Sequence, residues 1–575
     1  MKVLFFSLMC FPFLVFSQDA KNITYGNNEN DKFKVDSARI DSVFKQFDRK
    51  DCPGCAVALM NAGNIIFEKG YGMANLEHSI PITPATVFDI ASVSKQFTAF
   101  AIALLAREGK LSLEDNVRKF VPELPDFGKP VTIRHLVHHT SGLRDYGALL
   151  LTTGWRLDHP LDSTDFFEVI SKQTALNFDP GEKFLYSNTN YALMGLIVER
   201  VSGRSFSQFM KSEVFDPLGM TTTIVRDNPL LPVPNRASNY TAVKDRGYMI
   251  NYVWGFSKVM GPFSIHTTVR DLARWDSNFY QEKVGGKGIG EMMYSPGILN
   301  SGQNSDYAYG LFKWIYRGLR VISHTGWGGG SFILMRFPDQ KFSVAVLCNR
   351  YYTQTDAEML ALQVADIVLT DKYKDNQAGL PVIAKKAPPK EEIEKYSGVY
   401  WKEGSPDRIS FVVHNGILTG RKNAGKQFPL AYISKGRFFD KEEELVYAFK
   451  TTGKGIVSVE MTVPGTIGSE KAERRQSANP TPDQLQQYIG QYNSNELDLV
   501  WSFYVKDGKL LVRRKKFEDS ILEPVYADGF SFNYADDTGN FRYLVNFKRA
   551  EDGTINKFTV TSGRLVRIVF NRVNH

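Results

Sequence analysis

The chain has 575 residues, 43% of them hydrophobic and 23% charged, which is enough to build a large core and more than one domain. Its formal net charge of +8 is thinly spread and forms no phosphate-tracking stripe, so the composition argues against a nucleic-acid partner. The densest basic run, Arg513 to Lys516, reads as the solvated face of a strand.

At the start of the chain Lys2 precedes an apolar run from Val3 to Phe16, with Val15 and Ser17 at the small-residue positions of a cleavage site before Gln18. Residues 1–17 read as a secretory signal peptide, too short to span a bilayer, and no later stretch approaches transmembrane length. The expectation is an exported protein, periplasmic or secreted, with no integral membrane segment after cleavage. Bulky Met9 before Cys10 argues against lipidation there.

Cys52-Pro53-Gly54-Cys55 has redox-motif spacing but precedes a hairpin from Ala56 to Phe67, turning at Asn61 to Asn64, without the strand-then-helix setting of a thiol redox site. A local disulfide or two idle thiols is the expected state. Cys348 follows the apolar strand Phe342 to Leu347 and reads as core.

Residues 35–370 mix amphipathic helices with strands, whereas 371–394 are rich in Lys, Pro and Glu and read as a linker. Beyond it the pattern is all-β, with short alternating strands separated by turns such as Asn415-Gly416. Tyr396-Ser397-Gly398-Val399-Tyr400 recurs as Tyr488-Ile489-Gly490-Gln491-Tyr492, and Ser410 to Gly416 recurs as Ser502 to Gly508, both offset by 92 residues. Two homologous antiparallel units, 395–473 and 484–575, are therefore expected, each a small barrel or half of a larger one.

Phe97 to Ala106 is apolar nearly all round, the mark of a helix buried on every side, and Ser92 lies at its start. There a backbone N–H is left unpaired and the helix dipole favours an oxyanion on a substrate joined to the serine oxygen. Lys95 falls on the same face one turn later, where burial lowers its pKa toward a form that accepts the serine proton. Alone, Ser-x-x-Lys is a frequent accident, and a capping serine with a solvent-seeking lysine explains it equally well.

Two further segments add weight. Tyr186-Ser187-Asn188 places a phenol and an amide at the entrance of the helical pattern Tyr191 to Val198. His324-Thr325-Gly326 and the glycines 328 to 330 separate the strands Arg320 to Ser323 and Ser331 to Phe337, where glycine lets a substrate backbone approach a strand edge.

With Ser-x-x-Lys, Tyr-x-Asn and His-Thr-Gly in this order, residues 40–370 resemble the serine β-lactamase and penicillin-binding-protein family. Cys52 to Val57, His139 to Leu143 and Thr267 to Trp275 also look like that family. The resemblance implies an α/β fold, with an antiparallel sheet flanked by helices, a helical region beside it, and the cleft between them. It implies Ser92 as nucleophile, Lys95 and Tyr186 sharing the proton, and Asn188 holding Lys95 and the substrate amide. The oxyanion would be held by the N–H groups of Ser92 and Trp327, and substrate by His324, Thr325 and Gly326. No metal or other cofactor is implied.

His324 stands where β-lactamases and transpeptidases commonly carry lysine, and its weaker, pH-dependent charge moves the expectation toward a peptidase, amidase or esterase. The substrate expected is a small peptide, amide or ester. β-Lactam hydrolysis, and a sensor that acylates without turnover, remain as alternatives. His135, His138 and His139 have helical spacing that suits metal ligands, but no carboxylate motif accompanies them and the resemblance assigns them to scaffold. The C-terminal units look like the lipocalin-like barrels appended to D-aminopeptidases, either binding a ligand, restricting access to the cleft, or adding stability.

Overall fold

The computed structural model describes residues 33–573 apart from 254, 256, 352–355, 374–380, 385, 387, 403–404, 406, 424, 444, 453–454, 463–468 and 537–538. The expected signal peptide, and part of the expected linker, lie outside the described residues. Among the described residues no helix is long and apolar enough to cross a membrane.

Six strands build the central sheet: β1 (Cys55–Asn61), β2 (Asn64–Tyr71), β3 (Phe312–Tyr316), β4 (Leu319–Gly328), β5 (Gly330–Phe337) and β6 (Phe342–Cys348). Their order is β3-β4-β5-β6-β1-β2, with every neighbouring pair antiparallel. β1 and β2 form the hairpin read from the sequence. Alternation along β1 divides the molecule into layers: Ala56, Ala58 and Met60 enter one core, and Cys55, Val57 and Leu59 the other. Because both faces are covered, β5 and β6 are buried throughout and mostly apolar, with Ser331, Arg336 and Ser343 the polar exceptions.

Helices α1 (Ser37–Phe44) and α6 (Asp356–Val368) cover the second face. The first face carries α2 (Lys95–Arg107) and α5 (Val269–Gln281), and beyond them the helical region with α3 (Tyr146–Thr152) and α4 (Asn188–Ser202). Every residue of α2 from Lys95 to Leu105 is buried, as its all-round apolar pattern requires. A buried cluster clamps it to the sheet: Arg336 of β5 donates to Asp276 Oδ1 (2.8 Å) and to Gln96 Oε1 (3.2 Å), which also accepts from Trp275 (2.7 Å).

The cysteines correct the sequence reading. Cys55 is joined to Cys348 across the paired strands β1 and β6, and Cys52 is a buried free thiol. Spacing in sequence pointed to the neighbour at 52; sheet order brings a residue 293 positions away directly opposite.

Past the central domain lie two nine-stranded antiparallel sheets, each nearly closed into a barrel. In the first, the two edge strands are Gln427–Pro429 and Ala431–Ser434, separated by buried Leu430 alone. In the second, Ser520–Ile521 and Glu523–Tyr526 flank buried Leu522 in the same way, at the repeat offset of 92 read from the sequence. Arg514 is not on a solvated face: in the strand Lys509–Arg514 it alternates inward with Leu510 and Val512 and is 2% exposed. Its guanidinium lies 4.1 Å from the Phe517 ring and 4.6 Å from that of Phe532.

The second barrel docks on the helical region. Leu149 of α3 belongs to the barrel's own core cluster. Beside it Arg144 donates to Glu496 (2.6 Å), which also accepts from the N–H and hydroxyl of Thr174, both at 2.8 Å.

Candidate functional site

A short 3-10 turn, Ala91–Ser94, leads into α2 and presents Ser92. Asp89 Oδ1 accepts the Ala91 N–H (3.0 Å), and Ala91 takes a left-handed conformation at φ 45°. Ser94 Oγ accepts from Ile265 N (3.2 Å), so the short strand Ile265–Thr267 holds the turn from the other side. A non-glycine residue held at positive φ next to the half-buried serine is the kind of local strain that surroundings must over-determine.

Lys95 is completely buried, and its Nζ donates to Ser92 Oγ (3.0 Å) and to the Pro262 carbonyl (2.8 Å). Burial holds its pKa well below the ordinary lysine value, with nearby Arg564 adding to the shift and Asp145 opposing it. Asn188, expected to hold Lys95, is not among its hydrogen-bond partners; the Pro262 carbonyl takes that place.

Tyr186 and Asn188 are set by the start of α4. The Ser187 N–H donates to His139 Nδ1 (3.1 Å) and the Asn188 N–H to Asp145 Oδ2 (2.6 Å), which satisfies donors that a helix start leaves open. Asp145 also caps α3 through the Ala148 N–H (3.0 Å). The Tyr186 ring packs against His139 at a tilt of 34°, centroids 4.3 Å apart, and lies 4.8 Å from Lys95 Nζ. Burial raises the Tyr186 phenol above its ordinary range, while Arg564 and the neighbouring Ser92 hydroxyl pull it back.

His324, Thr325 and Gly326 are not a loop between strands, as the sequence reading had it, but the interior of the ten-residue strand β4. They pair with Leu334, Ile333 and Phe332 of β5 on one edge. On the other edge β3 begins at Phe312, opposite Ser323, so from His324 onward no described strand pairs with that edge. Gly326 is pressed so close to the nucleophile turn that a Cβ there would lie 2.2 Å from the Ile90 carbonyl oxygen. Only glycine permits that approach.

Burial also settles the charge of His324. The ring is 2% exposed, and desolvation, aided by Lys95, lowers its pKa to about 3. Nδ1 lies 2.6 Å from the Thr325 carbonyl and Nε2 3.0 Å from the Tyr307 hydroxyl. The expectation of a pH-dependent cation at this position is thereby corrected: His324 is neutral at ordinary pH. The pH profiles of kcat/KM for the wild type and His324→Gln are expected to share one shape between about pH 5.5 and 7.5. A wild-type limb in that window, missing from the variant, would contradict this.

The site opens into a cleft of about 560 Å³ lined by Ser92, Tyr186, Asn188, His324, Thr325 and Trp327. The segments 145–159 and 249–263 supply walls through Ala148, Leu151, Leu157, Val253 and Phe263. The remaining wall comes from the second barrel: Phe541, Tyr543, Ser562, Gly563 and Arg564. Sequence reasoning missed Arg564, whose guanidinium lies 4.4 Å from the Tyr186 ring. It also missed Asp145 and set aside His139, which the structure places directly against Tyr186. His135 and His138 do separate work, His135 Nδ1 accepting from the Thr132 N–H and His138 Nδ1 facing the Tyr307 carbonyl. Among the described residues no cluster of three or more His, Cys, Asp or Glu forms a candidate metal site.

Known proteins resemble this chain in sequence and fold. The sequence model of the Beta-lactamase family matches residues 40–369. Penicillin-binding protein 4* of Bacillus subtilis (strain 168) is 31% identical over 346 residues, covering 57% of this chain and 75% of its own. D-aminopeptidase of Gluconobacter oxydans (strain 621H) is 27% identical over 329 residues, covering 57% of this chain and 61% of its own length. The octameric penicillin-binding protein homologue from Pyrococcus abyssi shares the fold, with TM-score 0.52 and 24% identity over 76% of this chain and all of its own. With the motifs in order, the lysine on the serine and the family match over more than half its length, the chain belongs to the Beta-lactamase family and is a serine hydrolase.

Proposed function

We propose that this protein is an exported hydrolase that cleaves a peptide, amide or ester bond through an acyl-enzyme on Ser92. The observation that carries the reading is the 3.0 Å contact between Ser92 Oγ and the Nζ of a fully buried lysine whose charge is disfavoured. An uncharged amine at that distance accepts the serine proton as Oγ attacks the substrate carbonyl. The N–H groups of Ser92 and Trp327 receive the oxyanion, and the free edge of β4 from His324 to Gly326 aligns the substrate backbone. Tyr186, which lines the cleft beside Ser92, passes the proton to the leaving group, and Asn188 on the cleft wall meets the substrate amide.

Export is supported by the Cys55–Cys348 disulfide, a bond that persists in oxidising compartments. The D-aminopeptidase relative and the neutral His324 favour peptidase, amidase or esterase chemistry over β-lactam hydrolysis.

The test is labelling of the full chain with a fluorescent fluorophosphonate, next to Ser92→Ala. A covalent adduct that vanishes in the variant is the expected result. An adduct of equal yield in Ser92→Ala, or none in the wild type, would remove Ser92 from its role. Hydrolysis of a D-alanine amide and of a short-chain p-nitrophenyl ester then separates turnover from a protein that acylates and stops.

A further inference from the structure

The β4 edge of the cleft offers no cation. His324 donates from Nδ1 to the Thr325 carbonyl and accepts at Nε2 from the Tyr307 hydroxyl, so it offers a substrate anion neither charge nor an open donor. Lys95 is sealed behind Ser92, bonded to Ser92 Oγ and the Pro262 carbonyl. Among the described residues lining the cleft, Arg564 is the sole Lys or Arg, and it comes from the second barrel.

Arg564 occupies the tight turn between the strands Ile555–Ser562 and Leu565–Arg572. That turn is fixed to the catalytic domain from both sides by one residue: Asn177 Nδ2 donates to the Arg564 carbonyl (3.1 Å) and Asn177 Oδ1 accepts the Val566 N–H (2.9 Å). The side chain remains 44% exposed toward the cleft, its guanidinium 4.4 Å from the Tyr186 ring and 3.6 Å from Asp145 Oδ2. Asp145 already accepts the N–H groups of Ala148 and Asn188, and its nearest approach to Arg564, 3.6 Å, is longer than a hydrogen bond. A guanidinium has five N–H donors in a rigid fork, and an ion pair too long to be a hydrogen bond leaves paired donors available for a carboxylate.

We propose that Arg564 anchors a carboxylate on the leaving-group side of the substrate, so that the second barrel completes the active site and makes it selective for anionic leaving groups. The proposal rests on the acyl-enzyme reading above, in which Tyr186 faces the leaving group; a cation stacked on Tyr186 lies on that side. Ser92 Oγ forms a bond to the carbonyl carbon as Lys95 takes its proton, the bond from that carbon to the leaving nitrogen or oxygen breaks, and Tyr186 gives the leaving atom a proton and is reprotonated from Lys95. The departing amine or alcohol carries the carboxylate held by Arg564. Water then adds to the acyl carbon, giving a proton to Lys95, the ester bond to Oγ breaks, and the acid leaves as Lys95 returns that proton to Ser92.

The experiment compares two esters differing only in leaving-group charge, 4-nitrophenyl acetate and 3-carboxy-4-nitrophenyl acetate, on the full-length wild type, Arg564→Gln and Arg564→Lys. The ratio of kcat/KM, carboxylated over neutral, is expected to fall about 10- to 100-fold in Arg564→Gln, the worth of one charge-assisted hydrogen-bonded contact, and to recover partly in Arg564→Lys. An unchanged ratio would overturn the proposal. An equal loss on both esters would also overturn it, since that is the signature of a residue that merely docks the barrel. If the wild type shows no Ser92-dependent release from either ester, the acyl-enzyme reading itself falls and takes this inference with it. A urea midpoint for each variant shows that the comparison is between folded proteins.

Discussion

Replacing Lys95 by Ala is expected to lower kcat by about 10²- to 10⁴-fold, the range for loss of a positioned proton acceptor. Ser92 would still be present, yet nothing at 3.0 Å would take its proton. The pH dependence has a definite sign. Burial favours the uncharged amine, and only that form accepts a proton, so activity rises with pH through the lowered lysine pKa and holds above it. Lys95→Arg removes that acid limb together with most of the rate, because a guanidinium does not deprotonate in this range. The check is kcat against pH for wild type and both variants, under buffers of matched ionic strength; a wild-type profile that falls as pH rises across the limb would show that a protonated Lys95 is the working form.

The second large effect is expected at the seam between catalytic domain and barrel. Arg144 and Glu496 have side chains only 2% and 7% exposed, and Glu496 also serves both donors of Thr174. Breaking such a pair leaves an uncompensated buried charge, so Glu496→Ala should cost about 3–5 kcal/mol of docking. Differential scanning calorimetry is expected to split one transition into two, with the barrel uncoupling first. The pair also makes the seam acid-sensitive. Burial works against the Glu496 charge, but Arg144 and Thr174 outweigh it and hold the pKa below the ordinary 4.5. A depressed acid contributes its stabilisation in full above the unfolded value and loses it as pH falls through the folded one, so uncoupling is expected below about pH 4.5. A single unshifted transition in Glu496→Ala would show that the apolar contacts of Leu149 and the hydrogen bonds of Asn177 hold the barrel in place without the ion pair.

How far the sequence foretold this molecule depended on the range over which each signal acts. Ser92 and Lys95 are three residues apart and their relation follows from helical geometry, so the pair was legible and is found in hydrogen-bond contact. The β1–β2 hairpin is equally local. The two barrels were visible because a repeat is compared with itself, and even Leu430 and Leu522 obey the offset. Arg514 was misread although its parity with Leu510 and Val512 held the answer: its inward position follows from period 2, and its charge concealed it. The Cys55–Cys348 bond, the neutrality of His324 and the presence of Arg564 in the cleft have no local signature. Each arises from which distant surfaces meet, and a lone arginine in a hairpin turn looks the same whether it faces solvent or a nucleophile.

The pairing of β1 with β6 has a consequence for synthesis. As the chain emerges from the ribosome, the hairpin of β1 and β2 forms early, but the strand that covers the open side of β1 arrives only with Phe342 to Cys348. Until then the apolar run Ala56 to Met60 is an exposed edge, the kind of template on which nascent chains aggregate. Completion of the cleft waits longer still, for Arg564, more than two hundred residues after the partner of β1 has been made. The nucleophile is among the first parts of the site to be synthesised and the wall facing it among the last, which favours binding by a holding chaperone over stepwise folding during translation.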